Sequence, residues 1–202
     1  MNQIIKNTII LFVITLVAGI CLGTVHDITL DPIAQAQEAA ATKTYQEVYP
    51  DAASFDEPQE LADAVTAAAD SISEWGVGKV TINDAKEALD ASGNQIGYLI
   101  TSTSAESYGG NVQIAVGITN EGELTGIGFL SISDTPGLGM RAKEPDFKDQ
   151  FIGKKAENLE VTKTGASADN QIEAISGATI TSKAVTNATD AAIYFVANCL
   201  AQ

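Results

Sequence analysis

An uncharged apolar run near the amino terminus constrains this chain more than any other feature. From Thr8 to Val25 the sequence reads TIILFVITLVAGICLGTV, eighteen residues without a charged side chain. A bilayer core is crossed by roughly 17–25 mostly apolar residues in a helix, so the run predicts one transmembrane helix. Lys6 precedes it, and Asp27 and Asp31 follow it. Because positive charge tends to stay in the cytoplasm, we expect the rest of the chain to be extracytoplasmic.

A cleaved signal peptide is the alternative interpretation of this segment. The Ala-Gln-Ala sequence at residues 34–36 has the small-x-small form of a cleavage site. However, the apolar core of a signal peptide spans about 7–15 residues, and this site lies well beyond the end of the run. The sequence therefore favours an uncleaved anchor. The predicted segments are a cytoplasmic amino terminus at 1–7, a transmembrane helix at 8–25, a helical stalk and linker at 26–76, and an extracytoplasmic domain at 77–202.

The composition excludes several classes of function. Eleven Lys and Arg residues against 26 Asp and Glu residues give a net charge of −15, the wrong sign for binding nucleic-acid phosphates. The sequence has one histidine, His26, and two cysteines, Cys21 and Cys199, whereas zinc and iron–sulfur sites take three or four such ligands. A Ser-His-Asp triad would need a histidine in the soluble part. If this chain transfers electrons, it needs an organic cofactor.

The residues after the apolar run predict helices first and strands later. An Ala-, Gln- and Glu-rich stretch at 32–48 predicts a helical stalk, and residues 56–75 predict a second helix that ends at Gly76. Antiparallel strands are expected at 79–83, 87–90, 97–103, 112–119 and 124–132. Later elements are expected at 146–151 (helix), 159–163 and 171–175 (strands) and 179–200 (helix). The predicted class is α+β: one amino-terminal transmembrane helix, then a domain with an antiparallel sheet flanked by helices.

Two irregular segments could carry chemistry. The DTPGLG loop, residues 134–139, can be neither strand nor helix, because its proline lacks an amide donor and its glycines favour unusual backbone angles. The SGATITS segment, residues 176–182, lies where a strand leads into a helix. Small residues and unpaired first-turn amides suit an anion such as phosphate. On these seven residues alone, an ordinary helix cap by Ser176 or Thr179 is the simpler interpretation.

Taken together, these motifs resemble the FMN-binding domain family. Residues 173–185 (EAISGATITSKAV) are similar to the flavinylation motif of that family. Gly97-Tyr98, the DTPGLG loop and residues 147–154 (FKDQFIGK) match the family in order and spacing. With its anchor and length, the chain resembles the G subunits of Rnf complexes, the ferredoxin:NAD⁺ oxidoreductases of bacterial and some archaeal membranes. Two residues depart from the family pattern and keep its charge: Glu173 replaces Asp, and Asp134 replaces Glu.

The resemblance implies a covalently bound FMN, joined through its phosphate to the hydroxyl of Thr179 by a separate flavin transferase. It also implies a set of cofactor contacts in the two irregular segments, namely Ser176, Gly177, Ala178, Thr135, Pro136, Gly137, Leu138 and Gly139. No metal ligand and no catalytic residue is predicted.

The function that the resemblance implies is electron relay. The flavin would exchange electrons with centres in other membrane and peripheral subunits, while the complex couples ferredoxin oxidation and NAD⁺ reduction to ion export. This chain has no nicotinamide fingerprint, so it is not expected to act on ferredoxin or NAD⁺ alone. Two alternatives remain. One is the C subunit of the Na⁺-translocating NADH:quinone reductase, which has a similar motif, and the other is a non-catalytic, membrane-anchored scaffold domain.

Overall fold

The structure, a computed structural model, describes residues 2–69, 71–155 and 157–200. The chain divides into two compact units, Met1–Thr42 and Lys43–Gln202. Met1, in the predicted cytoplasmic segment, and residues 201–202, at the end of the predicted extracytoplasmic domain, lie outside the described residues.

Helix α1 spans Asn2–Val48 and contains the whole predicted transmembrane run. Among the described residues it is the one helix long and apolar enough to cross a membrane, and its apolar window is not buried. The sequence predicted a separate stalk helix starting at Pro32, yet Pro32 lies inside α1. One interior proline removes a single backbone hydrogen bond, and the Ala- and Gln-rich residues that follow are strong helix formers, so the helix continues.

A five-stranded antiparallel sheet forms the centre of the second unit, with strands in chain order from edge to edge. The strands are β1 Ser54–Asp56, β2 Val80–Leu89, β3 Gln95–Ser107, β4 Gly110–Thr119 and β5 Leu124–Ile132. The predicted antiparallel series and the α+β class are confirmed. The predicted strands at 79–83 and 87–90 are one strand, β2, whose pairing with β3 shifts between Ile82 and Asp84. That irregularity breaks the alternation that the sequence pattern depends on.

Shorter elements surround the sheet. The predicted helix at 56–75 is two pieces, α2 Gln59–Ala68 and a 3₁₀ turn at Ile72–Trp75. Both the amide and the hydroxyl of Ser71 donate to the carbonyl of Ala68 at 3.0 Å, which ends the α-helical hydrogen-bonding pattern there. The remaining elements are a 3₁₀ turn at Gly139–Lys143, α3 Pro145–Lys148 with a 3₁₀ turn at Asp149–Phe151, β6 Glu160–Thr162, β7 Gln171–Glu173 and α4 Thr179–Phe195, which continues as a π-helical turn to Leu200.

Helix α4 packs across one face of the sheet through small side chains. Ala184, Ala188, Ala191 and Ala192 are all buried, which allows the helix backbone to approach the strands closely. The hydroxyl of Ser102 on β3 donates to the carbonyl of Ala188 at 2.8 Å. This packing fixes where α4 begins, and therefore where the SGATITS segment lies relative to the sheet.

The other face of the sheet is covered by residues that the sequence predicted to be helical stalk and linker. Val48 and Tyr49 are buried, and the hydroxyl of Thr125 donates to the carbonyl of Val48 at 2.7 Å. A Cβ added at Gly128 would lie 2.6 Å from Val48 Cγ2, so only glycine allows this approach. The folded unit therefore begins at Lys43 and not at residue 77. Its first core residues are isolated in an otherwise polar stretch, where no periodic pattern marks them.

A buried carboxylate on α4 holds the segment that leads into β6. Asp190 is 4% exposed, and its Oδ1 accepts a hydrogen bond from the amide of Leu159 at 2.9 Å. Burial raises the pKa of Asp190 to about 7, although this hydrogen bond acts in the opposite direction. Between its ordinary value of 3.8 and about 7, the folded chain therefore holds a proton that the unfolded chain releases. The contribution of Asp190 to stability consequently falls as the pH rises through this range.

We predict that Asp190→Asn stabilises the domain at pH 8 but not at pH 4. The amide oxygen can still accept from Leu159, and no charge is buried, so up to about 4 kcal/mol of pH-dependent loss is removed. Denaturant unfolding of the full chain in detergent, measured at both pH values, provides the test. Asp149→Asn, at an exposed carboxylate, is the matched control. An equal effect of Asp190→Asn at both pH values would contradict this assignment.

Candidate functional site

The DTPGLG loop folds around the carboxylate of Asp134, which is 8% exposed. Oδ1 accepts from the amide of Thr135 at 2.8 Å. Oδ2 accepts from the hydroxyl of Ser107 at 2.8 Å and from that of Thr181 at 2.6 Å. One side chain thus joins the end of β3, the loop after β5 and the first turn of α4.

Asp134 is ionised at neutral pH despite its burial. Burial alone would raise the pKa of this carboxyl group. Hydrogen bonds from Thr181, Ser107, and the backbone amides of Thr135 and Gly109 stabilise the charged form, and they hold the pKa below its usual value. A negative charge with several donors, shielded from water, is therefore a fixed part of the site.

Gly139 completes the pocket around this carboxylate. A Cβ added at Gly139 would overlap the Cγ and both oxygens of Asp134. The carboxylate therefore fills the space that any other residue at 139 would need. Of the loop residues predicted to contact a cofactor, Gly139 is buried, and the exposed ones are Thr135, Pro136, Gly137 and Leu138.

The turn before α4 is held by Ser182. Its hydroxyl donates to the carbonyl of Ala178 and accepts from the amide of Ile175, both at 3.0 Å. Gly177 has a φ of +80°, a left-handed conformation that favours glycine. A Cβ added at Gly177 would lie 3.1 Å from Leu138 Cδ2. The structure therefore brings the DTPGLG loop and the SGATITS segment together, as expected for two segments predicted to contact one cofactor.

Helix α4 starts at Thr179 without a side-chain cap. The preceding residue, Ala178, makes no capping hydrogen bond. The amide of Ser182 is the first to bond back along the helix, to the carbonyl of Ala178 at 3.0 Å. The amides of Thr179, Ile180 and Thr181 precede this first hydrogen bond and have no partner within the helix. Neither Ser176 nor Thr179 caps the helix.

Five hydroxyl groups lie at or near this helix start, and their surroundings differ. Those of Thr181, Ser182 and Thr186 are buried and donate to Asp134 Oδ2, the Ala178 carbonyl and the Ser182 carbonyl, respectively. Thr179 is partly exposed and Ser176 is exposed, and within the described chain neither hydroxyl has a hydrogen-bond partner. Of the five, only these two hydroxyls are free to react with, or bind, a group that arrives from solution.

Sequence reasoning missed the residues that organise the site from a distance. Ser107 lies at the end of a strand, 27 positions before Asp134, and Thr181 lies 47 positions after it. No local periodicity relates these three residues, because their meeting depends on the packing of α4 on the sheet. The one signal in the sequence was Asp134 itself, an acidic residue at the start of a loop with many small residues. Such a side chain commonly accepts hydrogen bonds from nearby backbone amides.

Comparison with known protein families places both segments within one matched domain. Residues 107–194 match the FMN-binding domain family, and residues 1–48 match the RnfG N-terminal region. The first match begins at the residue that bonds Asp134 and contains the DTPGLG loop and most of α4. An FMN-binding domain is therefore present, and the resemblance seen in the motifs is confirmed.

Full-length relatives show the same relationship. The chain is 35% identical to the G subunit of the Na⁺-translocating ferredoxin:NAD⁺ oxidoreductase complex of Acetobacterium woodii, over 96% of this chain and 92% of that one. It is 30% identical to the G subunit of the proton-translocating complex of Clostridium ljungdahlii, over 95% and 91%. A crystal structure of the C subunit of the Na⁺-translocating NADH-quinone reductase from Parabacteroides distasonis has a TM-score of 0.50 and 25% identity, and the alignment covers 58% of this chain and 62% of that one.

We predict that Gly139→Ala disrupts the site by displacing the Asp134 carboxylate. The added methyl group overlaps the carboxylate, so the hydrogen bonds to Ser107 and Thr181 are lost at a cost of about 2–3 kcal/mol in the free energy of unfolding. Gly137→Ala is the control. It has open space around it but a φ of +75°, and it should cost only about 1 kcal/mol. Equal effects of the two substitutions in denaturant unfolding would argue against the overlap.

Proposed function

We propose a function for this chain from one premise: the chain belongs to the family of G subunits of ion-translocating oxidoreductase complexes. It is an electron-transfer protein that carries FMN in a membrane complex. The complex couples ferredoxin oxidation and NAD⁺ reduction to ion transport, and this chain relays electrons between its flavin and centres in neighbouring subunits. The observation that carries the proposal is the free Thr179 hydroxyl at an uncapped helix start.

The residues at this helix start fit the phosphate of FMN. Thr179 offers a hydroxyl with no other partner among the described residues, beside first-turn amides that lack helical partners. A phosphodiester keeps one negative charge, which a helix amino terminus stabilises by about 0.3–1 kcal/mol. Gly177 and Ala178 have little or no side chain to obstruct the group. Ser176 lies on the exposed side of the turn, where its hydroxyl can donate to a phosphate oxygen.

The bond to Thr179 requires an activated donor. Joining free FMN to a hydroxyl would release water into water and is unfavourable, so the donor is a phosphoanhydride of FMN, such as FAD. The oxygen of Thr179 forms a bond to the FMN phosphorus, the anhydride P–O bond breaks, and the nucleoside monophosphate leaves. The hydroxyl proton passes to a base of a separate flavin transferase. A covalent tether removes dependence on free cofactor outside the cytoplasm.

The DTPGLG loop and α4 would hold the ring. When bound, FMN supplies one- and two-electron transfer. Leu138 and Ile180 are 43% and 54% exposed, and such apolar side chains pack favourably on a flat aromatic ring. The exposed backbone of Thr135, Pro136 and Gly137 offers polar groups to the ring edge. Buried Gly139 contributes indirectly, by leaving room for Asp134.

The charges on either side of the membrane span indicate how the chain is oriented in the membrane. The chain carries Lys6 before the span at 8–25, and Asp27 and Asp31 after it, so we propose that residues 1–7 are cytoplasmic and the FMN-binding domain is extracytoplasmic. Protease added to spheroplasts should then digest the domain that contains Trp75. Protection of that domain until the membrane is lysed would reverse the orientation.

The G-type assignment is favoured over the alternatives from the sequence. The likeness to the quinone reductase C subunit covers little more than half of this chain, whereas the G subunits of the two ferredoxin:NAD⁺ oxidoreductases match it almost from end to end. In the scaffold alternative, the SGATITS segment is only an ordinary helix cap. The described residues make no side-chain capping hydrogen bond at the start of α4, which argues against that interpretation.

We predict that Thr179→Val abolishes covalent FMN and leaves the fold intact. Valine matches the shape of threonine but lacks the hydroxyl, and the hydroxyl of Thr179 has no hydrogen bond within the described chain to lose. The chain is co-expressed with a flavin transferase, separated by denaturing electrophoresis, and examined for flavin fluorescence. Thr179→Val should give no fluorescent band.

Thr186→Val is the matched control, because it removes a buried hydroxyl that bonds the Ser182 carbonyl within the helix. It should lower stability by about 1 kcal/mol and keep its flavin. A fluorescent Thr179→Val chain, with FMN mapped to Ser176 or another hydroxyl, would overturn the proposed attachment. Loss of flavin from both variants would point to a general folding defect and not to an acceptor residue.

A further inference from the structure

A glutamine side chain from a different segment bonds the backbone just before the SGATITS segment. Gln150 Oε1 accepts from the amide of Glu173 at 2.7 Å, and its Nε2 donates to the carbonyl of Glu173 at 3.3 Å. The same Nε2 donates to the carbonyl of Asp146 at 3.1 Å. The hydrogen bond to the Asp146 carbonyl therefore holds the amide group of Gln150 within its own segment. The same amide group bonds both polar backbone groups of Glu173 in β7.

The Gln150 side chain bonds the edge of β7 as a neighbouring strand would. Strand β7 pairs in parallel with β6 in a two-stranded sheet. A side-chain amide carries one acceptor and donors in a plane, as a peptide group does. At Glu173 the Gln150 side chain thus makes the two hydrogen bonds that a third strand would make.

The residues that lead from Glu173 toward Thr179 are fixed in a continuous series. Gln150 holds Glu173, the carbonyl of Thr162 accepts from the amide of Ala174 at 2.8 Å, and Ser182 holds Ile175. The hydroxyl of Thr179 remains free at the end of this series. The side chain of Glu173 is exposed to solvent, without a hydrogen-bond partner in the described part of the chain.

We propose that Gln150 is a positioning residue for cofactor attachment, which presets the backbone ahead of Thr179 in the conformation that the flavin transferase binds. The inference rests on the proposed attachment of FMN to Thr179. The flavin transferase must bring a donor phosphorus to the hydroxyl of Thr179. It binds the chain more tightly when the backbone ahead of Thr179 is already ordered, because a conformation that is only partly populated raises the apparent dissociation constant. Gln150 is only partly buried, so its hydrogen bonds serve local order more than the core.

The distinguishing prediction is a change in KM with kcat retained. Full-length chain is made without the transferase, solubilised in detergent, and mixed with purified flavin transferase and FAD at increasing chain concentration. Gln150→Ala should raise the KM for the chain about tenfold, as expected from the loss of two or three hydrogen bonds, and leave kcat and the final extent of labelling unchanged. A purely structural role would lower the final extent, because unfolded chain would not be labelled.

Gln46→Ala is the matched control. The Gln46 Nε2 also donates to two backbone carbonyls, of Ala52 at 2.8 Å and Pro50 at 3.3 Å, but in a segment apart from Thr179. It should leave KM unchanged. Gln150→Glu is the second variant: it keeps the acceptor for the Glu173 amide but loses the donor, and its KM should lie between those of the native chain and Gln150→Ala.

The outcomes separate this inference from the proposed function. If the native chain is labelled on Thr179 and Gln150→Ala has the same KM, or if Gln46→Ala raises KM equally, Gln150 has no positioning role, and the attachment itself stands. If the native chain is labelled on another residue or on none, both the attachment and the role of Gln150 are wrong.

Discussion

A single buried carboxylate, that of Asp134, connects three segments that are far apart in the sequence. Its hydrogen bonds to Ser107 and Thr181 fix the end of β3 and the first turn of α4 against the DTPGLG loop. The donors keep the group charged in a place where an unpaired charge would be costly. The two family motifs also meet where Leu138 Cδ2 lies 3.1 Å from the position of a Cβ added at Gly177.

The packing of α4 determines which of the hydroxyls near Asp134 are buried and which are exposed. Alanines on the buried side of α4 bring the helix close to the sheet, which turns Thr181, Ser182 and Thr186 inward, where each makes a structural hydrogen bond. Thr179, the first residue of the helix, stays partly exposed with first-turn amides beside it. Ser and Thr residues that look alike in the sequence are thus divided into three buried, structural hydroxyls and two free ones, of which only Thr179 lies in the helix.

The sequence predicted what depends on short-range pattern and on motif, and missed what depends on distant contacts. The apolar run, the antiparallel strands and the start of α4 at Thr179 follow from periodicity and were found. The continuity of α1 through Pro32 and the inclusion of residues 43–76 in the folded unit were not, because isolated anchors such as Val48 carry no periodic signal. The roles of Asp134 and Gln150 require tertiary packing, since their partners lie more than 20 positions away.

The most direct test of the central claim is mass spectrometry of the chain isolated from its native membrane. The account predicts an added mass equal to FMN less one water, carried by the tryptic peptide of residues 164–183, with fragmentation that assigns the addition to Thr179. This peptide also contains the exposed Ser176 and the buried Thr181 and Ser182, so the measurement distinguishes Thr179 from the other hydroxyls. An unmodified peptide in the active complex, or FMN on Ser176, Thr181 or Ser182, would contradict the account.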